Sequence, residues 1–177
     1  MPANRPFAPT SATRRRALLQ LAVGAVAFAG VSGCGFKLRQ APTFAFQTVR
    51  IVGSVGTPVA YELQRALLTN GLQVVGGATP ADVVLTVVTD QRERIAVGQT
   101  AAGQVRELQL RTRFIFRLRT PTDKELIEDT ELLLERDLSF SETAVLSKAS
   151  EEELLYRDMV SDAVQQVVRR MAAVKSL

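Results

Sequence analysis

Gln104-Val105-Arg106-Glu107-Leu108-Gln109-Leu110-Arg111-Thr112-Arg113-Phe114-Ile115-Phe116-Arg117-Leu118-Arg119 decides the fold. Leu108, Leu110, Phe114, Phe116 and Leu118 recur at every second position with Thr112 among them, and Arg111, Arg113, Arg117 and Arg119 alternate with them around Ile115. Side chains of a strand point to opposite faces in turn, so this is a long strand with one buried and one wet face. Pro121-Thr122-Asp123 then turns the chain into a second alternating run, about 126–140. There Leu132, Leu134, Leu138 and Phe140 oppose Asp129, Glu131, Leu133, Glu135 and Asp137. An antiparallel register pairing residues whose numbers sum to 248 sets Arg119, Arg117, Arg113 and Arg111 against Asp129, Glu131, Glu135 and Asp137. A one-residue slip would put charges into the core. Arg136 interrupts the buried face and is expected to snorkel to an edge.

Upstream, Phe46 to Val52 reads as a short strand that stops at Gly53. Thr57 as N-cap, Pro58 in the first turn and Gly71 as stop punctuate a helix, with Val59, Leu63 and Leu67 on its apolar stripe and Ala60 and Leu68 beside it. Gly76-Gly77 and Pro80 mark a loop. The strand over 83–97 places Val83, Leu85 and Val87 on one face and turns polar on the other through Asp90, Arg92 and Arg94. Downstream, Ser150 with Glu153 predicts a capping box opening a long helix striped by Tyr156, Val160, Val164, Val167 and Met171. The expected architecture is α+β: two helices packed on one face of a four-stranded mixed sheet, in the order β-α-β-β-β-α, with the Arg/acid ladder on the other face.

The N-terminal segment is of another kind. Arg14-Arg15-Arg16, an apolar run from Ala17 to about Val31, and Val31-Ser32-Gly33-Cys34 make a secretory signal ending at a cysteine. The apolar run is shorter than the roughly 20 residues of a membrane-spanning helix. Cys34 is the single cysteine of the chain, so no internal disulfide can use it. The pattern resembles a bacterial lipobox, which makes 1–33 a signal peptide, Cys34 the acylated first residue, 34–45 a tether and 46–177 one domain. Gly35 stands where an inner-membrane retention signal would carry Asp, which favours the outer membrane. Thr13 to Leu19 also resembles a twin-arginine signal lacking its Phe, so Sec and twin-arginine export both stay open.

Of the 22 basic residues, Arg5, Arg14, Arg15 and Arg16 precede residue 34 and no acid does, leaving 18 of each sign. The high isoelectric point belongs to the signal, so nucleic acid is excluded as a partner on this ground. Residues 34–119 hold 11 bases and 5 acids, and 120–177 hold 7 and 13. That asymmetry is the hairpin ladder seen at chain level. With no histidine, no free thiol after acylation and no Gly-rich phosphate loop, the reading is of a non-enzyme without cofactor or metal.

Cys34-Gly35-Phe36-Lys37-Leu38-Arg39, the Gly103-Gln104 turn into the alternating strand, and the Lys148 region before the acidic helix start together resemble the LptE family of lipopolysaccharide-assembly lipoproteins. The resemblance implies an anchor in the inner leaflet of the outer membrane, a place as plug inside the β-barrel LptD, help in barrel assembly, and contact with lipopolysaccharide through basic side chains. It points to Lys148, in the loop before the last helix, as one such residue. The turn that can carry another reads Ala101-Ala102-Gly103, leaving Arg106, or Arg111 and Arg113 of the sheet face, as substitutes. The same residues also read as cross-strand partners and a solvated lysine. A periplasmic ligand-binding or accessory lipoprotein of another lipid transport system is the competing function.

Overall fold

The computed structural model describes residues 42–139 and 145–177. The signal segment 1–33, Cys34, the tether as far as residue 41, and Phe140 lie outside the described residues. In chain order the elements are β1 (Thr48–Gly53), α1 (Pro58–Thr69), β2 (Gln73–Val74), β3 (Val83–Gln99), β4 (Val105–Arg119), β5 (Glu125–Ser139) and α2 (Val145–Ala172). The sheet runs β2-β1-β3-β4-β5, with β1 parallel to both neighbours and β3-β4-β5 an antiparallel meander. The α+β class, the mixed sheet and the two helices agree with the sequence reading. The sheet has five strands, not four. β2 is too short to leave any periodicity and forms because α1 returns the chain to the free edge of β1.

Both helices pack on the face carrying Val49, Val83, Leu85, Leu110, Phe114, Phe116 and Leu118, all fully buried. Phe114 and Phe116 stack at 5.8 Å in the centre, and the α2 stripe of Tyr156, Val160, Val164, Val167 and Met171 closes over them. Burying a side chain of this size contributes roughly 1.5–3 kcal/mol. Leu68, expected beside the apolar stripe of α1, is 52% exposed. Thr112 sits fully buried in this core, and its hydroxyl has no hydrogen-bond partner among the described residues.

The meander departs from expectation in two places, each with a local cause. β4 and β5 pair Leu108 with Leu138, Arg111 with Glu135 and Phe114 with Leu132, a sum of 246 instead of 248. An even shift keeps every side chain on its face, so alternation alone cannot distinguish the two registers. The turn decides. Thr120 to Lys124 closes through Thr120 N–H to Lys124 O at 2.9 Å, with Asp123 at φ 67°, a left-handed geometry that Asp tolerates. Arg119 therefore meets Glu125, and two irregularities carry the register to 246. Thr100 to Gln104 repeats this turn with Gly103 at φ 80° in the place of Asp123.

The second departure is a bulge in β3 between Val87 and Thr89. Before it the odd residues Val83, Leu85 and Val87 face the core; beyond it Asp90 lies opposite Phe114, Arg92 opposite Thr112 and Arg94 opposite Leu110. The polar residues assigned to the open face thus stand on the helix side. Asp90 caps α1 there, its carboxylate accepting from Val59 N–H at 2.9 Å and Ala60 N–H at 3.4 Å. Thr57 makes no side-chain cap; its hydroxyl donates to Ser54 O. Nor does Ser150 open α2, which starts at Val145, because nothing in 145–149 interrupts a helix.

Gly53 ends β1 at φ 88°, and a Cβ there would stand 2.1 Å from Val87 O. Gly53→Ala is expected to lower stability by about 3 kcal/mol, read as a fall in thermal midpoint by circular dichroism. Thr112→Val removes a hydroxyl buried without a partner and is expected to raise stability by about 1 kcal/mol in the same assay.

Asp82 ties the entry of the chain to β3, accepting from Gln47 N–H and Thr48 N–H, both at 2.9 Å. The Gln47 bond and then the Thr48 bonds hold its carboxyl below the usual range. Its ionised form stabilises the fold above the unfolded-state value, and that contribution fades as pH falls through the lowered one. Asp82→Ala is therefore expected to cost about 1 kcal/mol at neutral pH, with the gap to the parent protein narrowing in acid below about pH 4.

Candidate functional site

The face of β3-β4-β5 turned away from the helices carries the charge ladder. Arg111 Nε meets Glu135 Oε1 at 2.7 Å, and Arg113 Nη1 meets Glu131 Oε1 at 2.8 Å while its Nε reaches Glu93 Oε1 of β3 at 3.5 Å. Arg117 pairs with Asp129 at 3.6 Å, and Arg119 with Asp123 and Glu125 at 2.9 and 3.1 Å. Asp123 foremost, and then Glu125, push the Arg119 guanidinium above its ordinary value. These arginines are about one-third exposed, half-buried by their neighbours and by Ile115 between them. Leu133, 45% exposed opposite Arg113, adds an apolar spot. The result is a broad, part-exposed polar surface on which four arginines meet six carboxylates.

Lys148 lies in the first turn of α2, not in a loop. Its ammonium contacts Glu151 Oε2 at 2.8 Å and Ser139 Oγ at 3.1 Å, and the side chain is one-fifth exposed. Arg106 is exposed near the start of β4, with no partner among the described residues. Its neighbour Glu107 pairs with Ser139, the residue that Lys148 touches. Lys148 and Arg106 thus share one end of the sheet, beside the Thr100–Gln104 turn, whereas Arg111 and Arg113 sit further in on the open face.

Sequence reasoning missed the brace that holds β3 to α2. Tyr156 Oη donates to Glu93 O at 2.7 Å, Arg92 stacks 4.8 Å above the Tyr156 ring, and Arg92 and Arg94 approach Glu153 and Glu152 at 3.5 and 3.7 Å. Burial, ahead of the Glu152 charge, pushes the Tyr156 phenol up. Val87-Val88 sits where alternation breaks, but adjacent apolar residues also occur at Val83-Val84 with no bulge, so the sequence does not single out the position. Arg136 reaches the edge as expected and meets Asp162 of α2 at 2.9 Å. Among the described residues no cluster of His, Cys, Asp or Glu could hold a metal, and no helix is long and apolar enough to cross a membrane.

Several bacterial lipoproteins have a similar fold. The solution structure of an uncharacterized lipoprotein B from Nitrosomonas europaea is 36% identical, covering 78% of this chain and 91% of that one, with a TM-score of 0.68. Rare lipoprotein B from Shewanella oneidensis (24% identical, 72% and 95% covered, TM-score 0.61) and a minor lipoprotein from Acinetobacter baumannii (20%, 74% and 94%, 0.60) share the fold. No curated protein sequence matches. The model of the LptE family, lipopolysaccharide-assembly, matches residues 41–171, and the chain belongs to that family. It is accordingly a lipoprotein of lipopolysaccharide assembly, associated with the outer membrane, in a family that is not enzymatic.

The ladder's weight is measurable. A double-mutant cycle on Arg111→Gln and Glu135→Gln is expected to give a coupling of about 0.5 kcal/mol, cut substantially by molar salt. A coupling several times larger and insensitive to salt would contradict a solvated face.

Proposed function

We propose that this protein is the lipoprotein partner of the outer-membrane barrel LptD, held in the inner leaflet by lipid on Cys34 and seated in the barrel as a plug. One observation carries the reading: the sheet face bearing Arg111, Arg113, Arg117 and Arg119 is covered by neither helix, and each of these arginines is paired with carboxylate in a part-exposed ladder. Barrel interiors are polar and wet, and such a face suits them without an apolar seal. The same stiff sheet would serve as a template around which barrel strands close.

Contact with lipopolysaccharide phosphates is assigned first to Arg106, which is exposed and has no ion pair to break among the described residues. Lys148 comes second, since a phosphate must displace Glu151. Arg111 and Arg113 offer planar, bidentate donors, each at the expense of a carboxylate pair. The competing role, a ligand-binding or accessory lipoprotein of another lipid transport system, needs a cavity. The groove beside α1, lined by Ile51, Val55, Ala60, Gln64 and Val74, has about 230 Å³, below the roughly 300–1,000 Å³ of small-molecule sites. The groove of about 400 Å³ between Lys124 and Lys175 reaches that size but is an open, charge-lined surface groove, not an enclosed apolar pocket.

Affinity purification of the acylated protein in mild detergent, followed by mass spectrometry, is expected to recover a barrel of the LptD type in stoichiometric amount. Recovery of a lone monomer would favour the ligand-binding role. Given the barrel, Arg106→Ala is expected to weaken lipopolysaccharide binding more than Arg111→Ala.

A further inference from the structure

We propose that the end of the domain bearing Lys124, Arg170 and Lys175 is a membrane-contact surface for the phosphate headgroups of the leaflet that holds the Cys34 lipid. It rests on the proposed anchor at Cys34 and adds a second point of attachment.

Three elements meet at this end. The described chain enters here: Phe46 is buried, and Gln47 and Thr48 are tied to Asp82 just ahead of β3. Val84 pairs with Arg119, so the β4–β5 turn lies at the same end. The end of α2 packs beside that turn, where Lys124, Leu126, Ile127, Arg170, Val174 and Lys175 line a groove of about 400 Å³. The groove is mostly polar, with Leu126, Ile127 and Val174 as its apolar part, Glu125 on its wall and a rim of three exposed cations. Of the carboxylates nearby, Asp123 and Glu125 are occupied by Arg119, and Asp82 by backbone N–H groups; Glu128, one residue beyond Ile127, is exposed and leaves the cations in excess. Lys124, Arg170 and Lys175 have no ion pair among the described residues, nor has Arg169 beside them. The carbonyl end of α2 accounts for Arg169 and Arg170. It does not account for Lys124, which arrives from a hairpin.

Geometry selects the membrane as the source of phosphate. Seven residues lie between Cys34 and Pro42, eight Cα–Cα steps with a reach of at most about 28 Å. The 15 residues of β4 span about 48 Å, and Lys148 lies about 33 Å along α2 from Arg170. A short tether entering at the basic end keeps that end near the bilayer, and the Thr100–Gln104 turn stands at the far one. Each cation near an anionic surface raises partitioning about fivefold.

The test uses the acylated mature chain on vesicles containing a lipid with a headgroup quencher. Cys34 is the only native cysteine and its sulfur is blocked by the lipid, so Ser176→Cys or Ala102→Cys supplies one thiol for a fluorophore. On phosphatidylcholine with about 30 mol % phosphatidylglycerol, the residue-176 label is expected to be quenched at least about fivefold more than on phosphatidylcholine alone, the factor for a single engaged cation. The residue-102 label is expected to stay unchanged. Both Lys124→Gln/Arg170→Gln/Lys175→Gln and added salt of about 0.5 M are expected to abolish the difference, the salt arm being independent of any change in fold. An anchored chain quenched equally at residue 176 on both vesicle types overturns the contact surface alone. A chain that floats free of phosphatidylcholine vesicles has no working anchor, and overturns the Cys34 reading together with this one.

Discussion

The rest of the structure depends on the two-sidedness of β4. Its even residues from Leu108 to Leu118 must be dry and its arginines must be wet, and a strand meets both demands only as the middle of a sheet covered on one face. The helices therefore have a single place to go, and β3 and β5 must each bring an apolar row to one side of β4 and carboxylates to the other. The acids of β5 meet the arginines of β4 at four points along the hairpin, so the opposite charges of the two halves of the chain cancel locally.

That constraint explains what happens along β3. Beyond Val88 this strand outruns the cover of α1, and the bulge turns Asp90, Arg92 and Arg94 onto the helix side, where each meets a group that needs it. Asp90 satisfies the free N–H groups at the start of α1, and Arg92 and Arg94 meet the acidic turn of α2 around Tyr156. One extra residue converts surplus strand length into a brace between sheet and helices. The open face keeps its ladder, which is why one small domain has a packed side and a hydrated side suited to different surroundings.

The two ends of the domain differ in a way that fits work at a membrane. One end holds the chain entry, the end of α2 and three exposed cations with no ion pair among the described residues. The other holds Arg106, Lys148 and a glycine-closed turn. A lipoprotein that moves or positions an amphiphile needs both a fixed point at the leaflet and contacts held away from it, and the length of the meander separates the two.

Much of this was legible in the residues themselves. Alternation in 104–119 and 126–140 determined two long strands, their faces and their antiparallel partnership, because a period of two leaves no other solution for that pattern. The stripes of both helices followed from spacing. The tertiary structure alone decided the register, since a shift by two residues preserves every face and only closure of the Thr120–Lys124 turn separates the alternatives. It also decided the side on which Asp90, Arg92 and Arg94 lie, because one bulged residue inverts all later parity. The same holds for the two-residue β2 and the start of α2 at Val145, which depend on a neighbouring strand edge and an uninterrupted turn. Local pattern determines which face a side chain takes; only contact between distant segments determines what it meets there.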